Sequence, residues 1–297
     1  MGCVYSKTLS RKSLLKLIDK RNASTIIYDE HQEIMNMVLS GSLCSSASTE
    51  TLQRSQREEE ELLFEDSRVV LSDETGSCTP TNASYINGFK DPQAYIATRT
   101  PDSESTIFNF WRMIWQHQTE IIVMLDQPEE NLYAASLWNS DEESLLQVGQ
   151  LSIKKFRAHQ NNSSFQILRV LITHEDGATL NVNYFLFKNW QRQGLPPSEC
   201  HVLDLIFMTR LYNKSAVTPE SVKGYKSPIV VHCSDGLQRS MVFCAVDIGI
   251  SSISIRGEVN LYSIVSNLRK ERHNCLYDVN DYTMCYLLLH YYCMFYM

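Results

Sequence analysis

The sequence predicts a single α/β domain built around a mixed sheet. Three observations predict it. Short apolar runs with strand character, Arg68-Val-Val-Leu, Ile121-Ile-Val-Met-Leu and Ser227-Pro-Ile-Val-Val-His232, alternate with helical stretches. Helical patterns stand at both ends of the chain instead of in one block. The 297 residues, with 43% hydrophobic and 21% charged side chains, are enough for one large globular domain or two small ones.

The elements follow in order. Residues 28–39 are expected to be helical, and 40–55, rich in Ser, Thr and Gly, a loop. The acidic run 57–63 reads as a solvated face. Arg68–Leu71 and Ser84–Gly88 read as strands, 108–116 as an aromatic-rich helix and Ile121–Leu125 as a buried strand. Residues 148–187 alternate apolar and polar side chains in several short strands. Ser227–His232 is a short apolar strand. The long segment 241–255 holds Asp247 and is too short and polar to cross a membrane, so a buried helix is expected. Residues 262–268 and 280–291 read as closing helices. The predicted organisation is a basic segment, 1–27, followed by one domain, 28–297.

Composition narrows the function classes. The nine cysteines, at 3, 44, 78, 200, 233, 244, 275, 285 and 293, are scattered, odd in number and without Cys-x-x-Cys spacing. That speaks against a disulfide scaffold or zinc knuckle and for a reducing compartment. No apolar run reaches the roughly 18 residues of a membrane span, and no signal-peptide core is present. Residues 1–21 carry six basic side chains against Asp19, +5, which leaves −12 for the rest of a chain whose net charge is −7. So acidic a body is a poor partner for nucleic acid, whose phosphates dominate affinity.

The start, Met1-Gly2-Cys3-Val4-Tyr5-Ser6-Lys7, fits the N-myristoylation pattern, with Gly2 as acceptor, and Cys3 beside it is a candidate for palmitoylation. It is similar to the start of membrane-anchored Src-type kinases. One myristoyl chain binds membranes only marginally. A second signal is available in Cys3, or in the basic stretch at about 1 kcal/mol per Lys or Arg near anionic lipid. Leu9, Leu14, Leu15 and Ile18 share one helix face, and Lys12, Lys16 and Lys20 another. The plainer alternative is a basic first helix in which Gly2 and Ser6 coincide with the pattern by chance. The expected location is cytoplasmic, peripheral on the inner leaflet.

The chemistry concentrates in Val230-Val231-His232-Cys233-Ser234-Asp235-Gly236-Leu237-Gln238-Arg239-Ser240. A strand leads in, five residues turn, and a helix leads out. Backbone N–H groups of such a turn, together with a helix N-terminus, cradle a phosphate dianion. The same field lowers a cysteine pKa, so Cys233 is a candidate thiolate nucleophile. Arg239 can grip two phosphate oxygens with its planar fork. The Cys–Arg spacing alone is near what chance gives in a chain with nine cysteines.

This stretch resembles the His-Cys-Ser-Ala-Gly-x-Gly-Arg-Ser/Thr signature of the protein tyrosine phosphatases. The resemblance runs from about residue 28 to the end. Asn82-Ala-Ser-Tyr-Ile-Asn-Gly-Phe89 is similar to the family's Asn-Ala-Asn-Tyr-Ile-x-Gly-Tyr, and Tyr95-Ile-Ala-Thr-Arg-Thr-Pro101 to its Tyr-Ile-Ala-Thr-Gln-Gly-Pro. Phe110-Trp-Arg-Met-Ile-Trp115 and Val123-Met-Leu125 match as well. The resemblance implies a twisted mixed sheet flanked by helices with the loop at its centre, Cys233 as nucleophile position, Arg239 as phosphate clamp and Ser240 beside them, with no metal or cofactor.

The pattern breaks at five places. The family's general acid is the Asp of a Trp-Pro-Asp loop; here Trp190-Gln191-Arg192 puts Arg192 there, which gives up no proton at working pH. Losing a general acid costs about 10²–10⁴ in rate. Within the loop Asp235 replaces Ala, and it either repels a bound dianion or pairs with Arg239. Gln238 replaces a Gly whose backbone freedom it lacks. The recognition loop's stacking Tyr aligns with Glu58, and the family's water-positioning Gln aligns with Asp281. Three readings follow: a pseudophosphatase that binds phosphorylated or other host proteins, a slow phosphatase using a Cys233 phosphocysteine, or a membrane-tethered adaptor with an idle pocket. The drift and short chain resemble the phosphatase-like families of insect-parasitoid viruses, which act in infected host cells.

Overall fold

The computed structural model describes residues 7–39, 41–45, 62–72, 78–126, 145–156, 160–161, 164–187, 190, 198–215 and 227–297. Gly2, Cys3, Glu58 and Arg192 lie outside the described residues. The strands are β1 (Leu9–Ser10), β2 (Leu43–Ser45), β3 (Leu62–Phe64), β4 (Arg68–Ser72), β5 (Cys78–Ile86), β6 (Tyr95–Arg99), β7 (Ile121–Met124), β8 (Leu145–Val148), β9 (Leu151–Lys155), β10 (Gln160–Asn161), β11 (Phe165–His174), β12 (Thr179–Phe187), β13 (Ile229–Cys233) and β14 (Glu258–Val259). The helices are α1 (Arg11–Ile18), α2 (Ala23–Met35), α3 (Glu104–Gln116), α4 (Glu199–Ser215), α5 (Arg239–Arg256), α6 (Leu261–Glu271) and α7 (Val279–Phe295).

The main sheet runs β4-β5-β6-β13-β7-β12-β11-β9-β8, with β10 beside β11. Its centre is parallel, β6, β13, β7 and β12, and its flanks are antiparallel. This is the mixed sheet that the sequence predicts. A parallel centre is covered on both faces, which is why Ile229–Cys233 and Ile121–Met124 are buried throughout. Alternation along β13 divides its side chains. Ile229, Val231 and Cys233 join the larger core, with α1, α2 and α4 to α7; Val230 joins the smaller core, with α3. His232 takes the α3 side, edge-on to Phe110 with ring centroids 5.3 Å apart.

Several elements differ from expectation. Helix α2 begins at Ala23, before residue 28. The basic segment packs with the domain from Leu9 onward: β1 pairs with β14, and Leu14 and Leu17 are buried in the larger core. Helix α4 has no counterpart among the expected elements. Val202, Leu203, Leu205 and Ile206 are all fully buried on one broad face, but Phe207, Met208 and the 55% exposed Leu211 carry apolar side chains beyond it, so no clean stripe shows in the sequence. Strand β5 extends back to Cys78, and α5 runs 18 residues to Gly257, which ends it at φ +76°. No helix of the described residues is long and apolar enough to cross a membrane.

Candidate functional site

Strand β13 delivers Cys233 to the centre of the sheet. Thr100 N–H donates to the Cys233 carbonyl at 2.9 Å and Leu125 N–H to the His232 carbonyl at 3.0 Å, so both neighbouring strands fix its end. The loop 234–238 then turns into α5. Gly236 has φ +67°, and a Cβ there would stand 2.7 Å from the Arg99 nitrogen and the Thr98 carbonyl carbon, so only glycine fits. Gln238 sits at φ −107° and ψ −84°, outside the left-handed region that favours glycine and also outside the regular helical and extended regions. Arg272, fully buried, holds the loop from outside. Its Nε donates to the Gly236 carbonyl at 3.2 Å, Nη1 to Ser84 Oγ at 3.3 Å and Nη2 to Asn82 Oδ1 at 2.6 Å. Burial lowers its pKa to about 10, which still leaves it charged at neutral pH.

The loop amides face a carboxylate of the same chain. Asp235 Oδ1 accepts from Leu237 N at 2.8 Å and Gln238 N at 3.2 Å, and stands 3.2 Å from Cys233 Sγ. Of the two alternatives for Asp235, the structure does not take the pairing with Arg239: an Asx-type turn onto amides two and three residues on lies closer at hand. Gly236 N donates to the Cys233 carbonyl and Ser234 N to Asp126 Oδ1. Four of the N–H groups that would meet a phosphate are therefore engaged within the protein.

Cys233 is fully buried, and its pKa is pushed up to about 12, first by desolvation, then by Asp235 and Asp126, against smaller opposing effects of Arg239 and of Ser240, whose Oγ lies 3.3 Å from Sγ. Roughly 10⁻⁵ of it is thiolate at pH 7. The thiolate expected from the loop's field is thus absent. Burial is the largest cause, and the carboxylate inside the cradle adds to it.

Arg239 is likewise committed. It is 4% exposed, donating through Nη2 to Asp126 Oδ1 at 2.7 Å and Ser234 Oγ at 2.9 Å, and through Nη1 to the Trp190 carbonyl at 2.7 Å. Asp126 is the residue that sequence reasoning missed; its only signal is a polar side chain directly after the buried run Ile121–Leu125. Its Oδ2 accepts from Thr100 Oγ1 at 2.5 Å. Thr100 Oγ1 also lies 2.8 Å from His232 Nδ1, and Tyr184 OH 2.7 Å from His232 Nε2. Since Thr100 gives its proton to Asp126, the network assigns His232 the Nδ1–H tautomer, with Tyr184 donating to Nε2. Burial lowers the His232 pKa to about 3, so the ring stays neutral.

Asp281 stands in the first turn of α7, where burial and its neighbours Asp278 and Asp235 push its pKa up to about 7 while Arg239 opposes them. A carboxyl whose folded pKa lies above its unfolded value keeps a proton in the fold that the unfolded chain releases. Stability contributed by protonated Asp281 is therefore present at acid pH and is lost as pH rises from about 4 to about 7. Asp281→Asn should raise the melting temperature at pH 8 and leave it unchanged at pH 4, as thermal melts across pH would record. An equal effect at both ends would mean that the proton is not held in the fold.

A buried strand–Cys–loop–helix unit at the centre of a mixed parallel-core sheet, braced by Arg272 from the end of α6 against Asn82 and Ser84, defines the protein-tyrosine phosphatase class. The chain belongs to that family: the Protein-tyrosine phosphatase family matches residues 53–291. Among its relatives, tyrosine phosphatase-like protein J1 of Microplitis demolitor bracovirus is 30% identical, over 96% of each chain. Tyrosine phosphatase H2 of the same virus is 27% identical, over 95% of this chain and 88% of its own. Human tyrosine-protein phosphatase non-receptor type 9 is 27% identical over 92% of this chain, which spans 48% of that protein.

Proposed function

We propose that this chain is a pseudophosphatase: a tyrosine phosphatase-like protein that binds proteins of host phosphotyrosine signalling, at a membrane to which Gly2 and Cys3 tether it, without turning phosphate over. One observation carries the reading. Asp235 Oδ1 fills the loop as an internal anion, on two amides and beside Cys233 Sγ. An incoming dianion has to displace a carboxylate and meets a neutral thiol. Arg192 in place of the acid, and Glu58 in place of the stacking Tyr, point the same way.

A slow enzyme is the second reading, supported by Ser240 Oγ 3.3 Å from Sγ, where a hydroxyl would ease departure of a thiolate from a phosphocysteine. An assay of purified protein with a phosphotyrosyl peptide and an aryl phosphate, beside Cys233→Ser, separates the two. The expected result is no turnover above that of Cys233→Ser. Turnover that Cys233→Ser abolishes would overturn the pseudophosphatase. Calorimetry with the same peptide is expected to show at most weak binding, because Asp235 already holds the amides.

A further inference from the structure

We infer that the end of the molecule where α1 meets the last residues of α7 is a docking surface for an anionic phospholipid membrane. The inference rests on the proposed tether at Gly2 and adds the protein surface that such a tether would seat.

Three features meet there. Arg11 ties α1 to this end, with Nε and Nη2 donating to the Cys293 carbonyl at 3.1 and 2.8 Å and Nη1 to the Met297 carbonyl at 3.1 Å. Beside that joint the chain exposes apolar side chains at successive positions: Met294 is 51% exposed, Phe295 63%, Tyr296 42% and Met297 50%. Leu211 of α4, 55% exposed, extends the same kind of surface, and Tyr296 is held toward α4 by Phe207, ring centroids 4.9 Å apart, and by a hydrogen bond to Asp204. Single exposed apolar residues need no explanation, but a run of them beside an aromatic cluster does.

Charge chooses the occupant. Helix α1 spends Leu14 and Leu17 on the core, which leaves Lys12 and Lys16 on its exposed face, followed by exposed Lys20 and Arg21. The net +5 of residues 1–21 stands against −12 for the remainder. A second copy of so acidic a body is repelled by like charge at long range, whereas an anionic leaflet attracts the basic helix at about 1 kcal/mol per cation. Phe, Tyr and Met side chains suit the headgroup boundary, where aromatic rings sit with one end apolar and the other wet, and Arg11 joins the basic helix to them through the Cys293 and Met297 carbonyls.

The test uses the full, unacylated chain with phosphatidylcholine vesicles, with and without phosphatidylserine, read by co-sedimentation. Wild type should bind the phosphatidylserine vesicles. Lys12→Glu with Lys16→Glu, and separately Met294→Ser with Phe295→Ser, should each weaken binding about tenfold or more at unchanged melting temperature. Wild-type failure to bind, or wild-type binding by either double variant, overturns the surface. So does a Met294→Ser, Phe295→Ser chain that turns from dimer to monomer while its vesicle binding persists, since a second copy then occupies the patch. Labelling with a clickable myristate analogue judges the tether separately. A chain that takes no label but binds vesicles keeps the surface and loses the tether.

Discussion

Asp235→Ala should unlock the loop. Three changes are expected together. The carboxylate 3.2 Å from Cys233 Sγ is gone, so the thiol loses a major cause of its raised pKa. One charge at about 4 Å is worth up to about 4 kcal/mol at an effective dielectric of about 20. Alkylation of Cys233 by iodoacetamide at pH 7, followed by peptide mass spectrometry to separate it from the other cysteines, should accelerate about tenfold or more. The Leu237 and Gln238 amides also lose their acceptor and become donors for an added oxyanion, so orthovanadate, without effect on wild type, should raise the variant's melting temperature. Asp235→Asn separates charge from occupancy. Its amide oxygen can still accept from both amides while the charge is removed, so alkylation should quicken but orthovanadate should still fail to stabilise. Unchanged alkylation in both variants would show that Asp235 does not set the state of Cys233. Turnover should not follow from Asp235→Ala, because Arg192 and Glu58 remain unsuited to protonating a leaving group or stacking on a phosphotyrosine ring.

What could be seen in the sequence followed from local pattern. The strand into Cys233 and the helix after it are apolar runs, the short Ser227–His232 and the long 241–255, and they became β13 and α5. The motifs around Asn82 and Tyr95 became β5 and β6, and β6 is indeed a direct neighbour of β13. The destination of Asp235 was less legible, because a carboxylate two residues past Cys233 has three possible partners: the incoming dianion, Arg239 or its own loop amides. Only the turn geometry selects the third. Asp126 was out of reach for another reason. It lies 113 residues before Arg239, and their meeting depends on β7 standing beside β13, an order that no periodicity reports. Helix α4 escaped because Phe207, Met208 and Leu211 put apolar side chains off its buried face and blur the stripe by which surface helices are recognised.

Asp126→Ala should be the most destabilising single change at this site. Asp126 is 1% exposed and neutralises Arg239, 4% exposed; it also accepts from Ser234 N at 2.6 Å and Thr100 Oγ1 at 2.5 Å. Removing it takes from a buried guanidinium the carboxylate it is paired with, which costs about 3–5 kcal/mol. For a chain of this size that is a fall of roughly 10 °C in melting temperature. Arg239→Ala should cost a similar amount, since it strands the carboxylate instead. The two losses should not add. Asp126→Leu with Arg239→Met replaces the pair by apolar groups of comparable bulk and should recover much of the loss, as buried ion pairs often do when both partners leave. Recovery should stop about 1–3 kcal/mol short, because Ser234 N–H and the Thr100 hydroxyl then lack their acceptor. Denaturant melts of the two alanine variants and the double variant measure this coupling directly. A double variant no more stable than Asp126→Ala would place the cost in the lost Ser234 and Thr100 hydrogen bonds instead of in the stranded charge. The loop would then rest on those two hydrogen bonds.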